Sequence, residues 1–198
     1  MKIIFYTIII LANLTGISFA DEIEKEKYVD VPYFNLLPYN TIEDAFKVFG
    51  KSRIYETKLA HNFVQYYDPQ QEIEIIFALY GWDNKIWTIT IHKTDRYKGL
   101  SNDSVVEDII ADTTYTTKVG ELTKTDIKEP LTQKGIRLNM TKEEIDKILG
   151  TKIDIKDNTA NIGWETRQEG NEVTDYGGIN LTFNEGRLIS IAWYGVDP

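Results

Sequence analysis

The sequence predicts an α+β fold in which two copies of one unit follow each other along the chain. Each unit is expected to be a helix followed by an antiparallel sheet of three to four strands, with the helix packed on one sheet face. Two observations lead to this expectation. A helical pattern recurs 100 residues later, and each copy precedes three segments in which apolar and polar residues alternate. Because the chain has no cysteine, disulfides cannot hold either unit and an apolar core must do so.

The first 20 residues predict export. A lysine precedes an apolar run of roughly ten residues, and small residues end the run at Ala20, before an acidic segment that begins at Asp21. A membrane span needs about 20 apolar residues, so this run is too short to be one. We therefore expect a signal peptide over 1–20, cleavage between Ala20 and Asp21, and a periplasmic or secreted protein. No cysteine is present to carry a lipid, and residues 21–32 are expected to be flexible.

The recurring helical pattern lies over Thr41–Gly50 and again over Thr141–Gly150. In each copy a threonine can cap the helix, an acid three positions on can complete a capping box, and a glycine can end the helix in a left-handed conformation. Apolar residues at helical spacing define one buried stripe per helix: Ala45, Val48 and Phe49 in the first copy, and Ile145, Ile148 and Leu149 in the second.

Three strand-like segments follow each helix. They are Phe63–Asp68, Ile73–Tyr80 and Lys85–His92 after the first helix, and Asn161–Arg167, Gly178–Phe183 and Arg187–Tyr194 after the second. Turn-forming residues separate the last two segments of each set. Each set is therefore expected to fold as an antiparallel meander.

A segment between the two sets of strands has no counterpart after the second set. Over Ser101–Tyr115, valines and isoleucines at helical spacing among acids predict a further amphipathic helix, although Thr113–Leu122 could add an edge strand. The polar residues 124–130 end at a proline and are interpreted as a linker. The expected organisation is a first unit over 33–123, which contains this insertion, and a second unit over 131–198.

The segment Thr132–Gly150, followed by three strands with Asn184-Glu-Gly186 at the last turn, resembles the repeat of the β-lactamase-inhibitor-like group of proteins. That group includes the small lipoprotein of the outer-membrane assembly machine. The resemblance is clearest over 131–195 and does not reach the insertion. It implies a secreted or periplasmic module whose sheet face grips another protein, and it carries no catalytic residue. This chain lacks the lipid-bearing cysteine of the assembly lipoproteins.

The chain is acidic, with a formal net charge of −9 at pH 7. Such a surface repels phosphate backbones and anionic lipid headgroups, so we expect neither nucleic acid nor stable membrane insertion. The expected partner is another protein of the envelope or of the secreted fraction, and a basic partner would be attracted to this chain. Solubility alone would also explain an acidic surface.

The sequence patterns of known catalytic and metal sites are missing. Only His61 and His92 are present, and neither has a second ligand at the spacing of a zinc motif. Nucleophile-elbow, phosphate-loop and dinucleotide glycine motifs are also missing. We therefore expect no enzyme activity, no cofactor, no metal site and no catalytic residue.

Strand parity divides the side chains between two sheet faces. Trp87, Ile89, Ile91, Ile189, Ile191 and Trp193 are expected to face the helices, and Glu74, Ile76, His92, Leu188 and Tyr194 the opposite side. Tyrosine, tryptophan and arginine dominate the energetics of protein interfaces. The candidate protein-binding residues on or beside the opposite side are Tyr67, Tyr80, Trp82, His92, Glu165, Arg167 and Tyr194. A half-wet sheet face that binds nothing would show the same pattern.

These expectations predict a secreted or periplasmic protein-binding module, best interpreted as an inhibitor or immunity protein that occludes a secreted enzyme or toxin. An envelope assembly or scaffold subunit is the alternative, and a small-ligand carrier or enzyme with a cleft between the two units is a further one. An inhibitor should bind its target as a tight one-to-one pair. A scaffold subunit should instead co-purify with a membrane complex, and an enzyme should lose activity when one carboxylate or histidine is replaced.

Overall fold

A computed structural model describes residues 28–56, 61–80, 84–110, 113–167 and 173–196. The expected signal peptide and Trp82 lie outside these ranges. The described helices are α1 (Ile42–Phe49) and α2 (Lys142–Leu149), with a 3-10 turn at Val119–Glu121. The strands are β1 (Ile54–Glu56), β2 (His61–Asp68), β3 (Ile73–Tyr80), β4 (Ile86–Lys93), β5 (Val105–Ile110), β6 (Thr113–Lys118), β7 (Thr123–Lys124), β8 (Thr159–Arg167), β9 (Val173–Asn184) and β10 (Arg187–Val196).

One large sheet dominates the described residues, and the expected tandem of two helix-plus-sheet units is wrong. The strand order is β1-β2-β3-β4-β10-β9-β8, every neighbouring pair along it is antiparallel, and β7 adds to β2 in parallel. The two meanders therefore join edge to edge, with Ile91 opposite Ile191 and Ile89 opposite Trp193.

The join has a physical cause that the pattern of a single meander does not reveal. An unjoined β4 and β10 would each present a row of unpaired backbone groups at a sheet edge. Ile89, Ile91, Ile191 and Trp193 are all fully buried in one core cluster that contains residues from both meanders. Pairing the strands satisfies the backbone and merges two small apolar faces into one core.

The short helices begin and end where their sequence signals predict. At α2, the Glu144 amide donates to the Thr141 hydroxyl at 3.4 Å and the Thr141 amide donates to the Glu144 carboxylate at 2.7 Å. Gly150 ends this helix in a left-handed conformation, with φ 71° and ψ 13°. At α1, Ile42 and Ala45 are fully buried, but Val48 is 48% exposed, so the expected stripe is wrong at that position.

The helix expected over Ser101–Tyr115 is wrong, because β5 and β6 form an antiparallel hairpin there, from the pair Val105–Lys118 to the pair Ile110–Thr113. The β-branched residues that suggested a helical stripe also favour a strand, and the threonines of β6 strengthen that preference. Residues 94–110 and 113–124, here together called the covering segment, lie over one half of the sheet.

Two β-bulges overturn the predicted orientation of three side chains, those of Trp87, Leu188 and Ile189. The register passes from Ala78–Thr88 to Leu79–Ile86 and skips Trp87, and it passes from Leu188–Phe183 to Ser190–Thr182 and skips Ile189. A bulge inserts one residue and so reverses the facing of the residues beyond it. Ile86 and Leu188, in place of Trp87 and Ile189, are therefore the fully buried core residues.

Residues 28–32, the last part of the segment expected to be flexible, are packed against the sheet. Tyr28 and Val31 are buried, and the Tyr28 hydroxyl donates to the Tyr194 carbonyl at 2.9 Å. The indole N–H of Trp193 donates to the Asp30 carbonyl at 3.0 Å. The charges of this stretch alone do not predict these contacts.

Candidate functional site

The sheet has one face on the main core and a second, outer face whose two halves differ. Over β2 and β3 the outer face is buried. Tyr67 packs with Tyr97, Val119 and Leu122 of the covering segment, and Ile76 packs with Phe63 and Tyr55 of the neighbouring strands. Over β4, β10, β9 and β8 the outer side chains keep partial or full exposure. We call this second part the open half.

A buried polar cluster lies where the covering segment meets the sheet. Its centre is Glu74 of β3, which is fully buried. The carboxylate lies 3.0 Å from the His92 imidazole, accepts the Tyr97 hydroxyl at 2.9 Å, and also bonds with Arg96 and Gln65.

Glu74 stays charged in this buried place because its partners outweigh the cost of burial. Burial raises the pKa of the carboxyl. The hydrogen bond with His92 and the charge of Arg96 lower this pKa by more than burial raises it, so the pKa of Glu74 is held below its ordinary value. Arg96 and Tyr97 belong to the covering segment, whereas Gln65 and His92 belong to the sheet. The cluster therefore ties the two layers together.

The open half carries mostly uncharged side chains. Those with partial or full exposure include Thr88, Thr90, Asn161, Glu165, Tyr176, Asn180, Thr182, Ser190, Ala192 and Tyr194. The Oδ1 atom of Asn180 is buried there and has no hydrogen-bond partner among the described atoms. This half offers a continuous, partly exposed sheet surface, and among its described side chains Glu165 is an exposed carboxylate at the margin.

A groove of about 450 Å³ opens on this half, lined in part by Asn161, Gly163, Glu165, Tyr176 and Tyr194. Its volume falls within the range of about 300–1,000 Å³ common for ligand sites. The Tyr194 hydroxyl lies 3.0 Å from the Asn161 side-chain oxygen, to which it donates. Glu165 stands directly opposite Tyr176 across the β8–β9 pair, so the two side chains share one face.

Two glycines let the Tyr194 ring lie low over the strands. Gly163 and Gly178 are directly opposite each other in β8 and β9. A Cβ atom at Gly163 would lie 3.1 Å from the Tyr194 hydroxyl oxygen, and one at Gly178 would lie 2.9 Å from it. The tyrosine thus occupies space that two side chains would otherwise take, and the floor of the groove is backbone.

Among the described side chains that were predicted for binding, those of Glu165 and Tyr194 lie together at this groove. His92 joins the Glu74 cluster, and Tyr67 is buried beneath Tyr97 at a ring-centroid distance of 4.7 Å. Tyr80 is half-buried, with its hydroxyl 3.4 Å from the Gly195 carbonyl oxygen to which it donates. Arg167 lies in β8, but its side chain and the whole of Trp82 are outside the described part of the chain.

Sequence reasoning missed Asn161, Tyr176 and the glycine pair. Glycine inside a strand often marks a close approach of another group to the backbone, and Gly163, Gly177 and Gly178 carried that signal. Strand parity concerns the direction of side chains, so it gave no information on these glycines.

The described residues show no group of three or more His, Asp or Glu side chains that could hold a metal ion. Among the helices that the structure describes, none is long and apolar enough to cross a membrane. No protein-family model, curated protein or solved structure matches the chain. The resemblance to the β-lactamase-inhibitor-like group therefore stays a prediction.

Proposed function

We propose that this chain is an exported protein-binding module, of the inhibitor or immunity type, which occludes a basic secreted enzyme or toxin with the open half of its sheet. The observation that carries the proposal is the difference in exposure between the two halves of the outer face. The covering segment buries the half over β2 and β3 with apolar and polar contacts, and the half over β4, β10, β9 and β8 keeps exposure.

The composition of the open half suits contact with another protein. Tyr176 and Tyr194 supply aromatic area with little side-chain entropy to lose, and tyrosine is among the residues that carry most binding energy at interfaces. The surrounding threonines, serine and asparagines can form hydrogen bonds without the desolvation cost of buried charges. A rigid sheet also changes little on binding, which suits an inhibitor that must occlude its target.

Charge favours a basic partner. The net charge of −9 would steer a cationic protein toward this chain and speed its association at low ionic strength. Between residues 165 and 176, where β8 and β9 approach their connection, the sequence has four acids and one arginine. The net charge of this stretch of sequence therefore has the same sign as that of the whole chain.

The proposal is tested by affinity capture with the processed protein, purified from cells that express the full-length chain. The expected result is a one-to-one complex in which the activity of the captured protein is lost. Thr90→Arg places a large cation on β4, where the open half borders the covered half, and should weaken capture by tenfold or more. Val48→Arg adds the same charge at an exposed position of α1 and is the matched control.

Equal binding by both variants would place the contact elsewhere and refute the proposed surface. Capture of a membrane complex, with no loss of enzyme activity, would refute the inhibitor role in favour of a scaffold subunit. Unfolding of Thr90→Arg can be recognised by circular dichroism, and in that case Thr90→Lys provides a smaller cation at the same position.

A further inference from the structure

We infer that the groove at Gly163, Tyr176 and Tyr194 is a receptor site for an arginine side chain of the partner. The inference rests on the proposed function, because it names the chemical group by which the partner would be recognised. It goes further, since a guanidinium is a more specific ligand than a basic surface. It also gives the glycine pair a role in binding, whereas the proposed surface alone gives it none.

This molecule already binds two of its own arginines beside a tyrosine ring and a glutamate carboxylate. Arg96 lies over the Tyr97 ring, 4.8 Å from its centroid, and pairs with Glu74. Arg53 lies over the Tyr55 ring at 4.9 Å and pairs with Glu121 at 2.8 Å. In both places a guanidinium is held between a tyrosine face and a glutamate carboxylate.

The groove presents the same two groups to an arginine from outside. Tyr176 is 39% exposed, and exposed Glu165 stands opposite it on the neighbouring strand, with side chains on the same face. A carboxylate has two oxygens with about four acceptor positions, so Glu165 can bind a guanidinium in addition to its other contacts. A planar guanidinium can stack on the ring and donate to the carboxylate at once.

The two glycines, Gly163 and Gly178, also shape the floor of the groove on which an arginine side chain would lie. With no Cβ atoms at Gly163 and Gly178, the Tyr194 hydroxyl lies close over the backbone of both strands and forms part of the groove floor beside Tyr176. The Asn161 side-chain oxygen, which already accepts the Tyr194 hydroxyl, adds a second acceptor position on the wall. A guanidinium has five N–H donors and no acceptor, so a wall made of acceptors and ring faces suits it.

The test is an NMR titration of the processed, isotope-labelled protein with three blocked amino acids: N-acetyl-arginine amide, N-acetyl-lysine amide and N-acetyl-citrulline amide. Citrulline has nearly the shape of arginine and no charge. The expected result is a saturable shift of the Gly163, Glu165 and Tyr176 amide signals with arginine, a weaker shift with lysine, and none with citrulline. Glu165→Gln should weaken arginine binding about fivefold, the upper range for a partly exposed ion pair, and Tyr176→Ala should weaken it by a similar factor.

Glu185→Gln is the matched control, because Glu185 is exposed in the turn at the other end of the β9–β10 hairpin. It should leave arginine binding unchanged. Shifts spread over the surface, equal shifts with citrulline, or lysine binding at least as tightly as arginine would each overturn the inference. If arginine fails to bind while Thr90→Arg still weakens capture of the partner, only the inference is wrong. If arginine binds and Thr90→Arg has no effect on capture, the groove binds arginine but the partner contacts another surface, so both the proposed surface and the partner's use of this groove are refuted.

Discussion

Replacing Glu74 by glutamine should destabilise the protein strongly, because this carboxylate is the centre of the cluster that joins the covering segment to the sheet. The substitution keeps the shape and one carbonyl acceptor and removes the negative charge. Arg96 then loses its ion-pair partner at a place where its side chain is only 22% exposed. His92 and Tyr97 lose a charged hydrogen-bond partner as well.

The expected magnitude follows from these partners. Breaking a fully buried ion pair by removing one member costs about 3–5 kcal/mol, and a hydrogen bond to a charged group contributes about 1.5–3 kcal/mol. Arg96 and His92 keep some contact with water, so the cost should fall toward the lower end, about 2–4 kcal/mol. Glu121→Gln is the matched control, because it breaks the second arginine–glutamate–tyrosine group at side-chain exposures of 61% and 46% and should cost less than about 1 kcal/mol.

The pH dependence has a definite sign. The pKa of Glu74 is lower in the folded protein than its ordinary value of 4.5, so this group contributes stability above about pH 4.5 and loses it as the pH falls through the folded pKa. The difference in unfolding free energy between wild type and Glu74→Gln should therefore be constant above that pH and narrow below it. Urea unfolding at a series of pH values measures it. A cost no greater than that of Glu121→Gln, or a difference that does not narrow in acid, would refute this account of the cluster.

Two further predictions concern packing. A Cβ atom at Gly178 would lie 2.5 Å from the Ile162 carbonyl oxygen and must move backbone, whereas at Gly163 the two nearest atoms are side-chain oxygens at 3.1 Å. Gly178→Ala should therefore cost about 1–3 kcal/mol in thermal unfolding and Gly163→Ala less, and the reverse order would contradict the tight β8–β9 approach. Leu149→Ala should remove a buried side chain of α2 at a cost of about 2–5 kcal/mol. Lys147→Ala, on the exposed side of the helix, is the control. Equal denaturation midpoints for the two variants would show that α2 contributes little to the core.

Predictions that depend on a few neighbouring residues agree with the structure. The Thr141 capping box and the left-handed Gly150 lie where the sequence places them. The strand predicted over Ile73–Tyr80 has those bounds in the structure, and the other predicted strands overlap β2, β4, β8, β9 and β10. Capping and alternation are short-range signals, because the interacting groups lie within one turn of helix or on successive residues of a strand.

The exposure of the candidate binding residues was predicted less well than the strands. Strand parity places a side chain on the outer face, but another part of the chain can still bury it there. Glu74 and Ile76 do lie on the outer side of β3, but Glu74 is buried against Arg96 and Tyr97 of the covering segment, and Ile76 is buried against Tyr55 and Phe63. His92 is drawn into the polar cluster by Glu74 and not left on a wet surface. Only over the open half did parity identify groups that stand in one groove.

The sequence by itself determined the ends of the two helices, the positions of most strands, the need for a cysteine-free apolar core and the acidic charge. The tertiary structure decided that β4 and β10 join two meanders into one sheet, that residues 105–110 pair with 113–118, and which half of the outer face stays open. These outcomes depend on contacts between distant residues, such as Trp193 with Asp30 across 163 positions. Local patterns cannot reveal such contacts, because a β-branched segment or a strand edge has several possible partners, and only the burial gained by the whole chain selects among them.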